Sequence, residues 1–382
     1  MKIAYLLGSL NRGGTETLLL DVFRNAASNN LDAIGIYRKT GVCEQEFQSS
    51  GVDMFKLAPT KNIFGYLLKL RTLILKNGVQ LVHAQQPIDA LFAYFAILGT
   101  GVKILLTLHG FDYNEGRIGK LILQFILKRT QLNIYVSTYQ KEYYTKKYKL
   151  NTKNQKVVYN GISFDKLGIE YNATWSATSS RTPYSNNLRS ELQLPSETLL
   201  LGTVGNFNLV RDQLTICKFL KLLADGGVDF HFVFVGKRIE ALAERYDKCV
   251  EFCSVSGISE KVSFLGVRHD VPHILNALDA FIYSTDYDTF GIAVVEAMSC
   301  RLPIFVNDWD VMNEITENGK LATLYKSKDE QDLFHQFSLF LQHKQAYYQK
   351  ANKAANKVHQ KFSIENHIAK LQSVYVSLTT NN

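Results

Sequence analysis

Short apolar runs, each closed by glycine or a polar residue, alternate with longer stretches whose apolar residues recur at helical spacing. "KIAYLLG" (2–8) is strand-like, and "NRGGTETLLLDVFRNA" turns on glycines into a helix with Leu18, Leu19, Val22 and Phe23 on one face. "AIGIYR", "LVHAQ", "KILLTLHG" and "LNIYVS" follow as strands. Between them lie the helical "FGYLLKLRTLILKNG", "DALFAYFAILG" and "GKLILQFILKRT". The rhythm lapses over 168–198, a polar stretch rich in Ser, Thr and Asn with one short helix expected at "NNLRSEL". It then restarts with strands at "LLLGTVGNF", "FHFVFVG", "VSFLG", "AFIYS" and "LPIFVN", and helices at "DQLTICKFLKLLADG", "RIEALAERYDKCVEFCSVSG" and "VPHILNALD". Helices are expected from about 329 to the end. Strands alternating with helices predict parallel sheets covered on both faces. Two such series predict two doubly wound α/β domains, with ligands bound at the carboxyl ends of the strands and in the cleft between the halves.

With 382 residues, 46% of them hydrophobic, each half has enough chain to bury a core. Five cysteines at irregular spacing (Cys43, Cys217, Cys249, Cys253, Cys300) point to free thiols in a reducing compartment. Cys249 and Cys253 lack a second ligand pair for zinc. "MKIAYLLGSLNRGG" lacks the form of a secretory signal, and no run reaches the length of a membrane span, so a cytoplasmic location is expected. The formal net charge is +8, and "YQKEYYTKKYKLNTKNQK" (139–156) is lysine-rich with a single glutamate. An anionic substrate, an anionic membrane surface or a solvated basic face each accounts for this stretch. Nucleic acid is not expected, because no recognised binding module is present.

Four stretches carry candidate chemistry. In "GSLNRGGTE", Gly13 and Gly14 lie between a strand and a helix, where backbone amides can approach a phosphate; an ordinary turn uses the same residues. In "GTVGNFNLVRDQ" (202–213), Gly205 follows a strand and Arg211 precedes a helix, where a cation can grip a diphosphate or lie on the surface. "TLHGFD" (107–112) puts His109 at a strand end, as a cleft residue or a satisfied core histidine. In "YSTDYDTFGIAVVEAMSCRLPIFV", Glu296 interrupts an apolar run eight positions after Asp288. A carboxylate there is costly unless paired, and buried acids concentrate at functional sites. The amides of Thr289, Phe290, Gly291 and Ile292 would open a helix and hold an anion, while an acceptor-only Glu296 suits ribose hydroxyls.

Taken together these stretches, with "VVYNGISFDKL" and "VSFLGVRHDVPHIL", resemble the retaining glycosyltransferases of family 4 over nearly the whole chain. The resemblance implies a GT-B fold, two Rossmann-like domains facing across a cleft. An acceptor-binding domain is expected over 1–167 and a nucleotide-sugar domain over 168–363, with a C-terminal helix at about 364–382 returning to the first. "DTFGIAVVEAMSCRLPIF" resembles the family's E-x7-E element. By that resemblance Glu296 holds the ribose and Asp288 lies near the donor sugar. Phe290, Gly291 and Ile292 meet diphosphate and sugar, Arg211 belongs to the basic pair, and His109 lies near the transferred sugar. Three positions depart from the pattern: Asp288 stands for glutamate, Asn206 for the arginine of the basic pair, and Asp310-Val311 for a glycine pair.

The expected activity is a metal-independent, retaining transfer from a nucleotide-diphospho-sugar, a UDP-sugar in this reading. The expected acceptor is a saccharide, free or lipid-linked, in surface polysaccharide synthesis, with the enzyme peripheral on the inner face of the cytoplasmic membrane. No cofactor and no metal ligand set is identified. Two alternatives use the same residues differently. In one, the D-x-D strings 286–288 and 308–310 hold a divalent metal as in GT-A transferases. In the other, the chain is a catalytically silent nucleotide-sugar or partner-binding protein.

Overall fold

In β1 (Ile3–Ser9) the side chains alternate, Ile3, Tyr5 and Leu7 burying into one apolar cluster and Ala4 and Leu6 into another. A strand apolar on both sides needs helices on both sides. A computed structural model of the chain describes residues 1–113, 115–167 and 185–379; the polar connection expected from 168 lies, as far as 184, outside them. After β1 the chain runs through α1 (Gly14–Arg24), β2 (Ala33–Lys39), α2 (Glu44–Gln48), β3 (Asp53–Lys56), α3 (Ile63–Lys76), β4 (Leu81–Ala84) and α4 (Pro87–Ala96). It continues with β5 (Lys103–Leu108), α5 (Arg117–Leu127), β6 (Leu132–Tyr135), α6 (Thr138–Tyr148) and β7 (Gln155–Val157). The seven strands form one sheet in the order β3-β2-β1-β4-β5-β6-β7, all neighbours parallel.

The chain divides into two compact units, Met1–Ile162 with Phe362–Asn382, and Ser163–Lys361. In the first, α3, α4, α5 and α6 cover one face of the sheet, supplying Leu70, Ala93, Ile126 and Tyr144 to its core. The other face is covered by α1 and α2 together with the C-terminal helix, whose Ile364, Ile368, Leu371 and Tyr375 bury beside Leu19 and Phe23.

The second unit contains α7 (Ser185–Glu191), β8 (Leu199–Val204), α8 (Gln213–Asp225), β9 (Phe230–Val235), α9 (Ala243–Val255), β10 (Val262–Gly266) and α10 (Val271–Ala277). Then come β11 (Ala280–Tyr283), α11 (Ile292–Ser299), β12 (Ile304–Asn307), α12 (Asp310–Ile315), β13 (Thr323–Tyr325), α13 (Glu330–Gln342) and α14 (Lys344–Phe362), before α15 (Ile364–Thr379) rejoins the first unit. Its sheet runs β10-β9-β8-β11-β12-β13, again parallel. Phe230, Phe232 and Phe234 of β9 bury with Phe219 of α8 and Phe337 of α13. The expected helix over "RIEALAERYDKCVEFCSVSG" begins later than the pattern implied: Glu240–Leu242 is a 3-10 turn and α9 starts at Ala243. All five cysteines are free thiols.

Both sheets reverse their strand order at one place, between β1 and β4 in the first unit and between β8 and β11 in the second. At such a point the loops leaving adjacent strands diverge to opposite faces and open a crevice at the carboxyl ends.

Candidate active site

The crevice of the second unit is built from the loops leaving β8 and β11. Residue 211 pairs across it with residue 285, and the Thr285 hydroxyl donates to the Val210 carbonyl at 2.6 Å. This staple sets the Arg211 guanidinium over the ring of Tyr283, its carbon 4.0 Å from the ring centroid. Stacking of this kind suits the planar guanidinium. Gly205 makes room for it: a Cβ there would lie 2.8 Å from the Arg211 guanidinium. Burial lowers the Arg211 pKa and the nearby Asp288 opposes that shift. Its Nε is buried without a hydrogen-bond partner among the described residues, so the group has donor capacity left for a ligand.

Asp288 is held on its own loop. One carboxylate oxygen accepts from the Tyr283 hydroxyl, and the other from the amides of Thr289 (2.7 Å) and Phe290 (3.3 Å). Two of the four amides expected to face a diphosphate therefore serve Asp288 instead. The physical reason is the short aspartate side chain, which bonds readily to backbone one or two residues ahead. The Phe290 ring is in the core. Gly291 has a left-handed backbone (φ 81°, ψ 57°) and precedes Ile292, the first residue of α11, with no side-chain cap on the helix. The amides of Val294 and Val295 donate to the Gly291 carbonyl at 3.0 and 3.2 Å, and those of Ile292 and Ala293 ahead of them are left for solvent or ligand.

Glu296, one turn further on, is half-buried, and no group among the described residues hydrogen-bonds its carboxylate. Burial pushes its pKa up to about 7, with Lys166 pulling in the other direction. An under-satisfied acceptor in the second turn, beyond uncapped amides, is arranged for hydroxyls beside an anion. Asn206 is exposed, and its side-chain oxygen accepts from the Lys237 amide at 2.8 Å. As for the D-x-D strings, Asp286 pairs with Lys328 at 3.0 Å, and Asp308 accepts from the Ser327 amide and hydroxyl, both at 2.8 Å.

Gly13, Gly14 and His109 belong to the first unit. Gly13 caps α1 without a side-chain bond. His109 follows β5, and its Nε2 meets the Gln85 side-chain oxygen at 2.8 Å. Burial, helped by the neighbouring His367, lowers the His109 pKa to about 3, so the ring is neutral at ordinary pH. It lines a cavity of about 490 Å³ that also takes in Thr15, Glu16, Gln86, Asp112 and Tyr144.

Residues 12–166 match Glycosyltransferase Family 4, and residues 185–358 match Glycosyl transferases group 1. The chain belongs to the family 4 type of glycosyltransferases. Its fold is GT-B: the chain superposes on Anabaena HepE in complex with UDP and glucose with a TM-score of 0.84 at 18% identity, over 99% of this chain and 100% of that one. A glycosyltransferase from Rickettsia africae gives 0.85 at 16% identity, over 100% and 99%. Among characterised relatives, the Escherichia coli UDP-Gal:alpha-D-GlcNAc-diphosphoundecaprenol alpha-1,3-galactosyltransferase is 21% identical over 100% of this chain and 98% of its own. The Bacillus anthracis N-acetyl-alpha-D-glucosaminyl L-malate synthase is 21% identical over 80% and 77%.

Within this glycosyltransferase, Tyr283, Gln85, Glu16 and Lys166 are site neighbours that sequence reasoning passed over. Tyr283 ends a strand that reads as ordinary core, and its position directly before the acidic loop was the available signal. Gln85 lies two residues after His83 at the same strand edge. Nothing in the sequence places Lys166 near Glu296, because 130 residues separate them.

Proposed function

We propose that the glycosyltransferase moves a sugar from a UDP-sugar, with retention of anomeric configuration, to a saccharide carried on a lipid diphosphate, in the assembly of a surface polysaccharide. The observation that carries the donor half is Glu296, a carboxylate that no group among the described residues hydrogen-bonds, beside the uncapped start of α11. In this reading Glu296 accepts from the ribose hydroxyls. The amides of Gly291 and Ile292 and the Arg211 guanidinium take the diphosphate, with Gly205 and Asn206 bounding its loop. Asp288 lies near the transferred sugar. As the bond from the anomeric carbon to the diphosphate oxygen breaks, negative charge grows on that oxygen, and positioned cations and amides stabilise it. The acceptor oxygen attacks on the face the diphosphate leaves, and a donor phosphate oxygen takes its proton. The UDP bound to HepE and the UDP-Gal and diphosphoundecaprenol in the name of the E. coli relative support this choice of substrates.

A membrane-bound acceptor also suits the surface of the first unit. Helices α3, α4 and α5 pack side by side. They and the turn after α4 expose Phe64, Leu68, Phe95, Leu98, Ile118 and Leu121, Phe64 and Ile118 by about three-quarters. Lys61, Lys69, Lys76, Arg117, Lys128 and Arg129 are exposed on or beside the same helices. Apolar side chains edged by cations fit an anionic bilayer surface. Among the described residues, no helix is long and apolar enough to cross a membrane.

The test is transfer from UDP-glucose, UDP-galactose and their N-acetyl forms to a lipid-diphosphate-linked saccharide, with the product anomer read by NMR. An α-linked product from an α-configured donor is expected. A β-linked product, or no transfer from any UDP-sugar, overturns the proposal.

A further inference from the structure

The cavity in the first unit has a charge character opposite to that of the whole chain. The chain carries a formal +8, yet among the described residues no lysine or arginine lines this cavity. Its charged side chains there are Glu16, Asp112 and Glu115. Asp112 is already committed: it accepts from the hydroxyls of Tyr143 and Tyr148 and pairs with the Lys147 ammonium at 2.8 Å. His109 adds no positive charge, because burial keeps it neutral.

Glu16 is different. It lies in the first turn of α1, half-buried, and no other side chain among the described residues hydrogen-bonds its carboxylate. Burial raises its pKa. Around it the lining offers the side-chain NH2 groups of Gln85 and Gln86, whose oxygens are taken by His109 and by the Arg38 guanidinium at 2.8 Å each, with the Thr15 hydroxyl and the aromatic faces of Phe111 and Tyr144. Such a lining matches a sugar ring: amides and a carboxylate for the hydroxyls, aromatic surface for the C–H faces. It opposes an anion, which would lose its water without gaining a cation and would meet Glu16 and Glu115. The volume of about 490 Å³ is within the usual range for small-molecule sites.

We infer that this cavity takes a neutral, hydroxyl-bearing sugar as the terminal unit of the acceptor, and that Glu16 is the specificity residue that reads its hydroxyls and turns away uronic acids. The inference rests on the proposed transfer to a saccharide. It places any diphosphate of a lipid-linked acceptor outside the cavity.

The experiment titrates the UDP-saturated enzyme with methyl glucoside, methyl galactoside and their N-acetyl forms, and with the matching methyl uronides, by ligand-observed NMR. At least one neutral glycoside is expected to bind ten-fold or more tighter than its uronide. Glu16→Gln should weaken that glycoside several-fold and narrow the discrimination, and Glu16→Lys should raise uronide binding, with UDP affinity unchanged in both. Equal binding of glycoside and uronide, no binding of either, or a discrimination untouched by Glu16→Gln overturns the inference. The wild-type comparison needs no variant to fold. Failure of UDP itself to bind overturns the donor reading, while the glycoside comparison still decides the cavity.

Discussion

Glu296 answers to two opposed demands. A carboxylate in the second turn of α11, burial having raised its pKa to about 7, costs the fold stability whenever it is ionised, and in the proposed site it must be ionised to accept from two hydroxyls. The folded-state pKa lies above the ordinary glutamate value, so the protonated group is the one folding favours. The associated stability is complete below about pH 4.5 and is lost as the pH rises towards 7. Glu296→Gln removes the charge and keeps the shape. At pH 8 the variant should unfold at a higher temperature than the wild type, with the gap closing as the pH falls towards 4.5, read as melting temperature against pH. The same variant should bind UDP more weakly by roughly 1.5–3 kcal/mol, the worth of a hydrogen bond to a charged group. Calorimetry checks this, and unchanged affinity in the folded variant would remove Glu296 from the ribose. Asp288 shows the complementary residue-scale effect: one methylene fewer than glutamate lets it bond its own loop amides, which no motif comparison reveals.

At the scale of elements, the C-terminal helix is keyed into the first sheet by polar groups as well as apolar ones. The Tyr375 hydroxyl of α15 meets Tyr5 of β1 and His83 Nδ1 of β4, each at 2.7 Å, and His83 Nε2 meets the Thr107 hydroxyl of β5 at 2.7 Å. Two residues along the same two strands, Gln85 holds His109. The network that seats α15 thus continues directly into the end of β5. Tyr375→Phe leaves two buried partners short of one bond, at a cost of about 1–3 kcal/mol, measurable by urea unfolding. Further along α15, His367 Nδ1 donates to the Tyr159 carbonyl at 2.7 Å. Burial lowers the pKa of His83 well below the usual value, that of His109 to about 3 and that of His367 to about 4. These rings are neutral when folded and charge on unfolding, so the stability they contribute is complete above about pH 6.5 and is lost as the pH falls towards 4. The first unit should weaken steeply across that window. His367→Gln, which cannot titrate, should flatten the slope of unfolding midpoint against pH.

At the scale of the whole molecule, charge is segregated by function. The basic excess lies on helix surfaces such as α3 and α5, while the cavity at the sheet edge has acids and amides. Each well-placed cation contributes about 1 kcal/mol at an anionic bilayer surface. The enzyme should therefore sediment with vesicles containing phosphatidylglycerol and not with neutral phosphatidylcholine vesicles, and salt should release it. Lys69→Glu with Lys76→Glu should weaken that binding without changing UDP affinity. Equal sedimentation with both vesicle types, or none at low salt, counts against a peripheral enzyme.

The two α/β series were legible from the sequence because period and punctuation are local properties: a strand buried on both faces needs a continuous apolar run, and a helix packed on a sheet needs a 3.6-residue stripe. Short elements such as β3, α2 and β13 escaped, since three to five residues hold too little of a period to register. Glu296 of α11 stands out in the sequence too, because a glutamate amid Val294, Val295, Ala297 and Met298 is costly wherever it folds. What only the tertiary structure decided is which groups are spent and which are left over. Asp288 is consumed by Tyr283 and its own loop, Arg211 rests on Tyr283, and His109 is tied to Gln85. Among the described residues the Arg211 Nε is left without a hydrogen-bond partner, and the carboxylates of Glu296 and Glu16 without a side-chain one. Apart from the local bonds of Asp288, those outcomes depend on contacts between residues well separated in the chain, at distances of a few ångströms. Hydrogen bonds and desolvation are settled at that range, and the order of residues along the chain does not encode it.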